Sequence, residues 1–248
     1  MKKLTAVLLL LLGCSTMSLA NNGMYQSHLK IQAAKVKGFD FASGIDNPVW
    51  QKQPAHQFMY CISTVDDINR APAESGTVQY LYDDRYLYVR AHFSDSDVMT
   101  GATKHGEHFY AQGDLLEVFI KHPKHNYYWE IYGTPNKLRT RFYYPSRAML
   151  GLPSGFAPND CPILVDAKVD GTFNDPRDVD KSWTVLLGIP RSELEKNGEK
   201  IAPGNNWLIF ASRYNFSAHQ NDRELSCFPQ IPGSYHLYEY YAEIEFTE

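Results

Sequence analysis

From Phe41 onward the chain alternates apolar and polar residues in short runs separated by Pro, Gly, Asn and Asp. In the run Tyr86 to Phe93, Leu87, Val89, Ala91 and Phe93 fall on one face, and Tyr86, Tyr88, Arg90 and His92 on the other. A period of two is that of a strand with one face buried. Val78 to Tyr82 precedes this run across Asp83-Asp84-Arg85, so the two predict a β-hairpin. Leu115 to Ile120, Tyr127 to Tyr132, Ile163 to Val169, Ser182 to Gly188, Trp207 to Tyr214 and Ala242 to Phe246 have the same texture. Helical patterning is nearly absent, the best candidate being Arg191 to Lys196, opened by Pro190. Many short strands without alternating helices predict an all-β sandwich or barrel in one domain over residues 41–248. Residues 21–40 are polar and weakly patterned, and read as a tether.

Residues 1–20 read as a secretory leader. Lys2 and Lys3 precede an apolar stretch from Leu4 to Leu12, too short for a spanning helix, which needs roughly 20 apolar residues. Two cleavage readings compete. Leu11-Leu12-Gly13-Cys14 has the pattern of a bacterial lipobox, in which Cys14 is acylated and becomes the N-terminus. Ser18-Leu19-Ala20 has the pattern of an ordinary cleavage site before Asn21. Both predict an extracytoplasmic protein, either an outer-membrane lipoprotein or periplasmic or secreted, that meets a membrane only through an N-terminal lipid.

The 248 residues carry 24 basic and 28 acidic side chains, a net charge of −4, or −6 without Lys2 and Lys3. A mildly acidic chain with no basic run is poorly suited to phosphate backbones, which disfavours nucleic acid. Apart from Cys14 there are three cysteines, Cys61, Cys161 and Cys227. Their odd number predicts one disulfide plus one buried thiol, with the pair undetermined. There is no CxxC or Cys/His zinc spacing, nor any nucleophile elbow, P-loop, HExxH or GxGxxG.

Seven segments in order resemble the bacterial carbohydrate-binding module family 9-like domains, a DOMON-like β-sandwich group. These are Gly44-Ile45-Asp46 with Trp50, the hairpin Leu81 to Val89, Gly113-Asp114 through Ile120, and Tyr127-Tyr128-Trp129-Glu130-Ile131. They continue with Gly171-Thr172-Phe173-Asn174-Asp175-Pro176 through Val185, with Trp207 and Arg213, and with Phe228-Pro229-Gln230, His236, Glu239 and Tyr241-Ala242. The resemblance implies a single immunoglobulin-like or DOMON-like sandwich of mostly antiparallel strands. It also implies a non-catalytic carbohydrate-binding role in carbohydrate breakdown beside glycoside hydrolases. Members of the family clasp a terminal sugar between two tryptophans; here the first position falls near Ala111, beside Phe109 and Tyr110, and the second on Tyr235. An arginine that such members use falls near Glu130. The family also implies structural calcium, for which Asp46 and Asp95 occupy family-like positions.

The candidate sugar-binding residues are therefore Tyr110 and Tyr235 for stacking, with Trp129, Glu117, Arg213 and His236 beside them. Aromatic rings suit the apolar face of a pyranose, and carboxylates hydrogen-bond its hydroxyls. Trp50, Trp183 and Trp207 read as core. Glu117 shares a face with Leu115 and Phe119, so it requires a partner such as Arg213 or Arg141, or a ligand. Asp175, Asp178 and Asp180 read as turn chemistry at strand ends. Two HxxH pairs, His105 with His108 and His122 with His125, flank one strand about 23 Å long and cannot build one site together; they read as solvated loop residues. The partner expected is a poly- or oligosaccharide and the protein is expected to be a monomer. Two alternatives are a haem-binding electron-transfer domain using His92 or Met99, by analogy of fold, and an O-glycosyl hydrolase or its accessory subunit.

Overall fold

A computed structural model describes residues 29–149 and 161–248. The leader and Cys14 lie outside the described residues. The fold is all-β, a 13-stranded sheet folded onto itself. Its strands are β1 (Lys30–Lys35), β2 (His56–Gln57), β3 (Met59–Tyr60), β4 (Gly76–Tyr82), β5 (Tyr86–Ser94), β6 (Leu115–Lys121) and β7 (Tyr128–Gly133). They continue with β8 (Arg139–Tyr144), β9 (Leu164–Asp170), β10 (Ser182–Pro190), β11 (Asn206–Asn215), β12 (Glu224–Phe228) and β13 (Ala242–Thr247). A single helical turn, α1 (Arg191–Leu194), follows β10. Among the described residues no helix is long and apolar enough to cross a membrane.

The strand order β8-β7-β6-β11-β13-β1-β4-β5-β10-β9 forms two facing layers. One holds β6, β7, β8 and β11, extended by β12 and β3; the other holds β4, β5, β9 and β10. β13 and β1 carry the sheet between them. The layers meet where a Cβ on Gly133 of β7 would come within 2.9 Å of Leu187 of β10, so a bare glycine permits that approach. Between the layers lies the main core. It contains Leu87, Val89, Ala91 and Phe93 from β5, Leu116, Val118 and Ile120 from β6, and Ile209 and Ala211 from β11. Trp183 and Trp207 are fully buried in it, as the sequence predicts.

The outer faces of both layers are covered as well. Over β4, β5 and β10, short turns at Phe41–Asp46 and Pro48–Lys52 bury Trp50 against Leu81 and Tyr88, and its indole Nε1 donates to Gly44 O at 2.7 Å. Over β6, β7, β8 and β11, an aromatic layer of Phe119, Tyr128, Tyr132, Phe142 and Phe210 lies beneath the loops around residues 102–112 and 231–241. Strands covered on both sides read as near-continuous apolar runs, which is why β6 is so easily found in the sequence.

The structure corrects two expectations. Residues 30–35, assigned to a tether, form β1, which pairs in parallel with both β13 and β4. Only Ile31 and Ala33 mark its inner face. The sheet is thus antiparallel except at β1. Finally, Cys61, Cys161 and Cys227 are all free, buried thiols, with no disulfide among them. In the Asp-rich loop Asp175 makes a local turn bond, its Oδ1 accepting from Arg177 N at 3.2 Å, while Asp180 and Asn174 tie the loop to residues 98–100. Both Asp180 oxygens accept backbone N–H groups, from Val98 at 2.7 Å and Thr172 at 2.5 Å, and Asn174 Oδ1 accepts from Thr100 N.

Candidate functional site: an aromatic cleft with a carboxylate floor

Alternation along neighbouring strands decides which side chains reach the outer face of the β6-β7-β8-β11 layer. On β6 the outward residues include Glu117 and Phe119, on β7 Tyr128, Glu130 and Tyr132, on β8 Phe142 and Tyr144, and on β11 Phe210, Ser212 and Tyr214. The pairing register aligns Cys227, Ser212, Glu117, Tyr132 and Thr140 as one row crossing five strands. The next row holds Phe210, Phe119, Glu130 and Phe142. A mainly polar row thus runs beside an aromatic row interrupted by one carboxylate.

Above these rows opens a cleft of about 590 Å³, floored by Glu117, Phe119, Glu130 and Tyr132. One wall is a train of rings. Tyr110 lies 6.2 Å from Tyr214, which lies 6.0 Å edge-on from Tyr235, each measured between ring centroids. His236 and Tyr144, 5.0 Å apart, and His108, stacked on Phe142 at 4.4 Å, also line it. Loop contacts fix the walls. Tyr241 Oη donates to Tyr235 O at 2.6 Å, and Thr140 Oγ1 donates to Glu107 O at 2.7 Å. Tyr128 Oη accepts from Ala148 N at 2.9 Å and shares a hydrogen bond with His236 Nδ1 at 2.7 Å. Burial lowers the His236 pKa, which favours the neutral ring.

The floor is electrostatically unbalanced. Glu117 Oε2 accepts from Ser212 Oγ at 2.9 Å, and Glu130 Oε1 accepts from the Tyr132 hydroxyl. Glu130 Oε2 is buried without a hydrogen-bond partner. The Tyr144 phenol, near enough to oppose the pKa shift, lies outside hydrogen-bonding geometry. Among the described residues no Lys or Arg lines the cleft. Burial pushes the Glu130 carboxyl up to about 7, and burial together with the neighbouring Glu130 pushes Glu117 well above its ordinary value. Under Tyr235, the Cys61 Sγ lies 3.2 Å from the phenol oxygen, and the neighbouring Cys227 thiol and burial push the Cys61 pKa up.

Of the six predicted sugar-site residues, four line the cleft: Tyr110, Glu117, Tyr235 and His236. Trp129 and Arg213 do not, because their strand parity points them inward. Trp129 packs in the main core with Ile131, one residue out of phase with Glu130. Arg213 pairs across the sheet with Leu116, not Glu117. Its guanidinium is fully buried, 2.8 Å from Asp95 Oδ2 and 2.9 Å from Asn215 Oδ1. Arg141 is likewise out of phase with Glu117's face and bonds Glu193. Glu117 therefore has neither proposed cation. Sequence reasoning did not select Glu130, Tyr132, Tyr144 or Tyr214, although a period of two along β7 places Glu130 between Tyr128 and Tyr132.

Asp46 is paired with Lys168 at 2.8 Å and Asp95 with Arg213 at 2.8 Å. His92 Nδ1 lies 2.9 Å from Thr184 Oγ1, whereas Met99 borders a separate hollow with Asn174 and Ala218. Among the described residues one cluster has a metal-ligating composition: His122, His125 and Glu199. His122 is 3% exposed and so is not the solvated loop residue its sequence context predicts.

Residues 43–144 match the family described as carbohydrate family 9 binding domain-like. Comparison with curated proteins finds no match. Three solved structures share the fold. One is a candidate carbohydrate-binding protein from Bacteroides uniformis, with a TM-score of 0.65 and 10% identity, covering 88% of this chain and 99% of that one. The others are a family 9 carbohydrate-binding module from Caldicellulosiruptor kristjanssonii in complex with cellotriose and with glucose. They align with TM-scores of 0.55 and 0.56 and identities of 12% and 13%, each covering 88% of this chain and 93% or 95% of the module. Residues 43–144, which hold β4 to β8 and most of the cleft floor, carry the carbohydrate family 9 binding domain-like signature that the motifs led us to expect, on the fold of the solved family 9 modules.

Proposed function

We propose that this chain is a non-catalytic, extracytoplasmic carbohydrate-binding protein whose saccharide lies in the cleft over β6, β7, β8 and β11. One observation carries the reading: the ring wall of Tyr110, Tyr214 and Tyr235 stands over a floor with two buried carboxylates, one oxygen of which is unpartnered. Rings offer area to the CH face of a sugar, and carboxyl oxygens and the His236 ring offer hydrogen bonds to its hydroxyls. A volume of about 590 Å³ falls in the range of small-ligand sites. The solved modules in complex with cellotriose and glucose support a saccharide as the ligand class. With two carboxyl groups and, among the described residues, no Lys or Arg in the lining, the cleft favours neutral or amine-bearing sugars over acidic ones.

Binding is favoured over hydrolysis by the placement of the carboxyls. Glycoside cleavage uses two carboxyls in different protonation states, flanking the scissile bond. Here both rise from one sheet face, both are shifted upward by burial, and neither has a cation to hold it ionised. The leader pattern of residues 1–20 supports export, with Cys14 as the lipid attachment point, and the family 9 resemblance supports a place beside glycoside hydrolases. Calorimetric titration with glucose, cellotriose and an acidic oligogalacturonide tests the reading. A neutral saccharide should give a binding isotherm that weakens in Tyr110→Ala, and the acidic one should give none. Absence of heat across a broad neutral and amino-sugar panel would overturn it.

A further inference from the structure

At the far end of β6 the chain turns back through His122-Pro123-Lys124-His125, away from the residues that line the cleft. His122 Nε2 lies 3.3 Å from Glu199 Oε2, and His125 Nε2 lies 3.2 Å from Glu199 Oε1. The three ligand atoms all fall within 4.8 Å of one another. The two contacts run to different oxygens of one carboxylate, which therefore spans both imidazoles; an ion bound at roughly 2.0–2.1 Å draws its ligand atoms to edges of roughly 3.3–3.4 Å, so the wider spacing here closes by side-chain rotation on binding. We propose that His122, His125 and Glu199 form a binding site for a divalent transition metal of the zinc class, with three protein ligands and an open fourth position.

The ligands are held in place before any ion arrives. Lys121 Nζ donates to His122 O at 3.1 Å and also to His125 O, which ties both ends of the turn to one ammonium, and His125 N donates to His122 O at 3.2 Å. The His122 ring stands edge-on to Trp207 at 5.1 Å, and His125 stacks on Tyr127 at 4.7 Å with an angle of 14°. Trp207 also fixes the third ligand, because its Nε1 donates to the carbonyl of Lys200, the residue after Glu199. One core tryptophan thus sets the relative position of two ligands from segments 77 residues apart in sequence. His125 and Glu199 are partly exposed, and a hollow of about 320 Å³ borders His122, so the site is accessible from solvent.

The donor set also selects the ion. Two imidazoles and one carboxylate suit Zn²⁺ and its neighbours, whereas Ca²⁺ and Mg²⁺ require more oxygen ligands. Without an ion, His122 Nδ1 accepts from Lys124 N at 3.3 Å, so its proton sits on Nε2 and points to Glu199. Coordination at Nε2 moves that proton to Nδ1 and keeps the imidazole neutral. The amide of exposed Lys124 then turns to water.

The test uses untagged, chelator-treated protein titrated with Co²⁺ and then Zn²⁺. One equivalent of Co²⁺ should produce the visible absorption of a low-symmetry, near-tetrahedral ion, and Zn²⁺ should discharge it. His125→Gln and Glu199→Gln, both at partly exposed positions, should each weaken binding by more than the roughly 10–100-fold typical of losing an outer-shell partner. His219→Gln, at an exposed histidine elsewhere, should leave it unchanged. A wild-type protein that gives no cobalt spectrum, or a spectrum unchanged in both ligand variants, would overturn the proposal. Saccharide titrations are independent of this result, since none of the three ligands lines the cleft.

Discussion

Glu130 allows the electrostatics of the cleft to be tested without any ligand. Its carboxyl is 4% exposed, and burial raises its pKa from the ordinary 4.5 to about 7. The folded state therefore holds this proton more tightly than the unfolded state does. Below pH 4.5 the group is protonated in both states and its contribution to stability is fully present. Between 4.5 and 7 the unfolded chain releases the proton while the folded chain retains it, so stability falls as pH rises and levels off above 7. At about 1.4 kcal/mol for each tenfold change in proton affinity, the loss across that window is about 3 kcal/mol. For a chain of this size that corresponds to roughly 6–12 °C in Tm. Glu130→Gln keeps the shape and removes the titration. Scanning calorimetry on both proteins at pH 4.5 and pH 7.5 should find similar Tm values at the lower pH and the variant higher at the upper pH. Tm differences between the two proteins that are equal at both pH values would refute the reasoning.

Three further outcomes follow from the same geometry. Tyr110→Ala removes an exposed ring from the cleft wall, so saccharide affinity by calorimetry should drop about 5- to 10-fold, as expected for one stacking partner, with Tm unchanged. Trp129→Phe should leave saccharide affinity unchanged and cost about 1–3 kcal/mol in urea unfolding, because Trp129 faces the core. Arg213→Met strips the cation from buried Asp95, and should cost about 3–5 kcal/mol in denaturant unfolding with no direct effect on a bound sugar.

Much of this arrangement is legible in the sequence wherever alternation is clean. β5 and β6 show their inner and outer rows by inspection, and the row of Glu117 with Phe119 is the floor of the cleft. The same count applied to β7 separates Trp129 from Glu130. Trp129 was assigned to the site by its aromatic character and family context, and parity places it in the core. β1 is hidden because its two inward residues, Ile31 and Ala33, are too few to stand out from the polar stretch around them. β8 escapes because Arg139, Thr140 and Arg141 open it with polar residues on both faces. Pairing register is not a local property, so nothing near Glu117 in sequence indicates that Ser212 rather than Arg213 lies opposite it. The convergence of Glu199 on His122 and His125 is equally invisible, since it depends on how Trp207 anchors a distant loop.

The central claim is that a saccharide occupies the cleft over β6, β7, β8 and β11. Hydroxyl-radical footprinting by mass spectrometry, with and without a saturating neutral oligosaccharide, tests it most directly. The account predicts ligand-dependent protection of Tyr110, Tyr214 and Tyr235, with Tyr60 and Tyr86, which lie outside the cleft, labelled equally in both samples. Protection confined to residues outside this set, with the three cleft tyrosines unchanged while the sugar is bound, would contradict it.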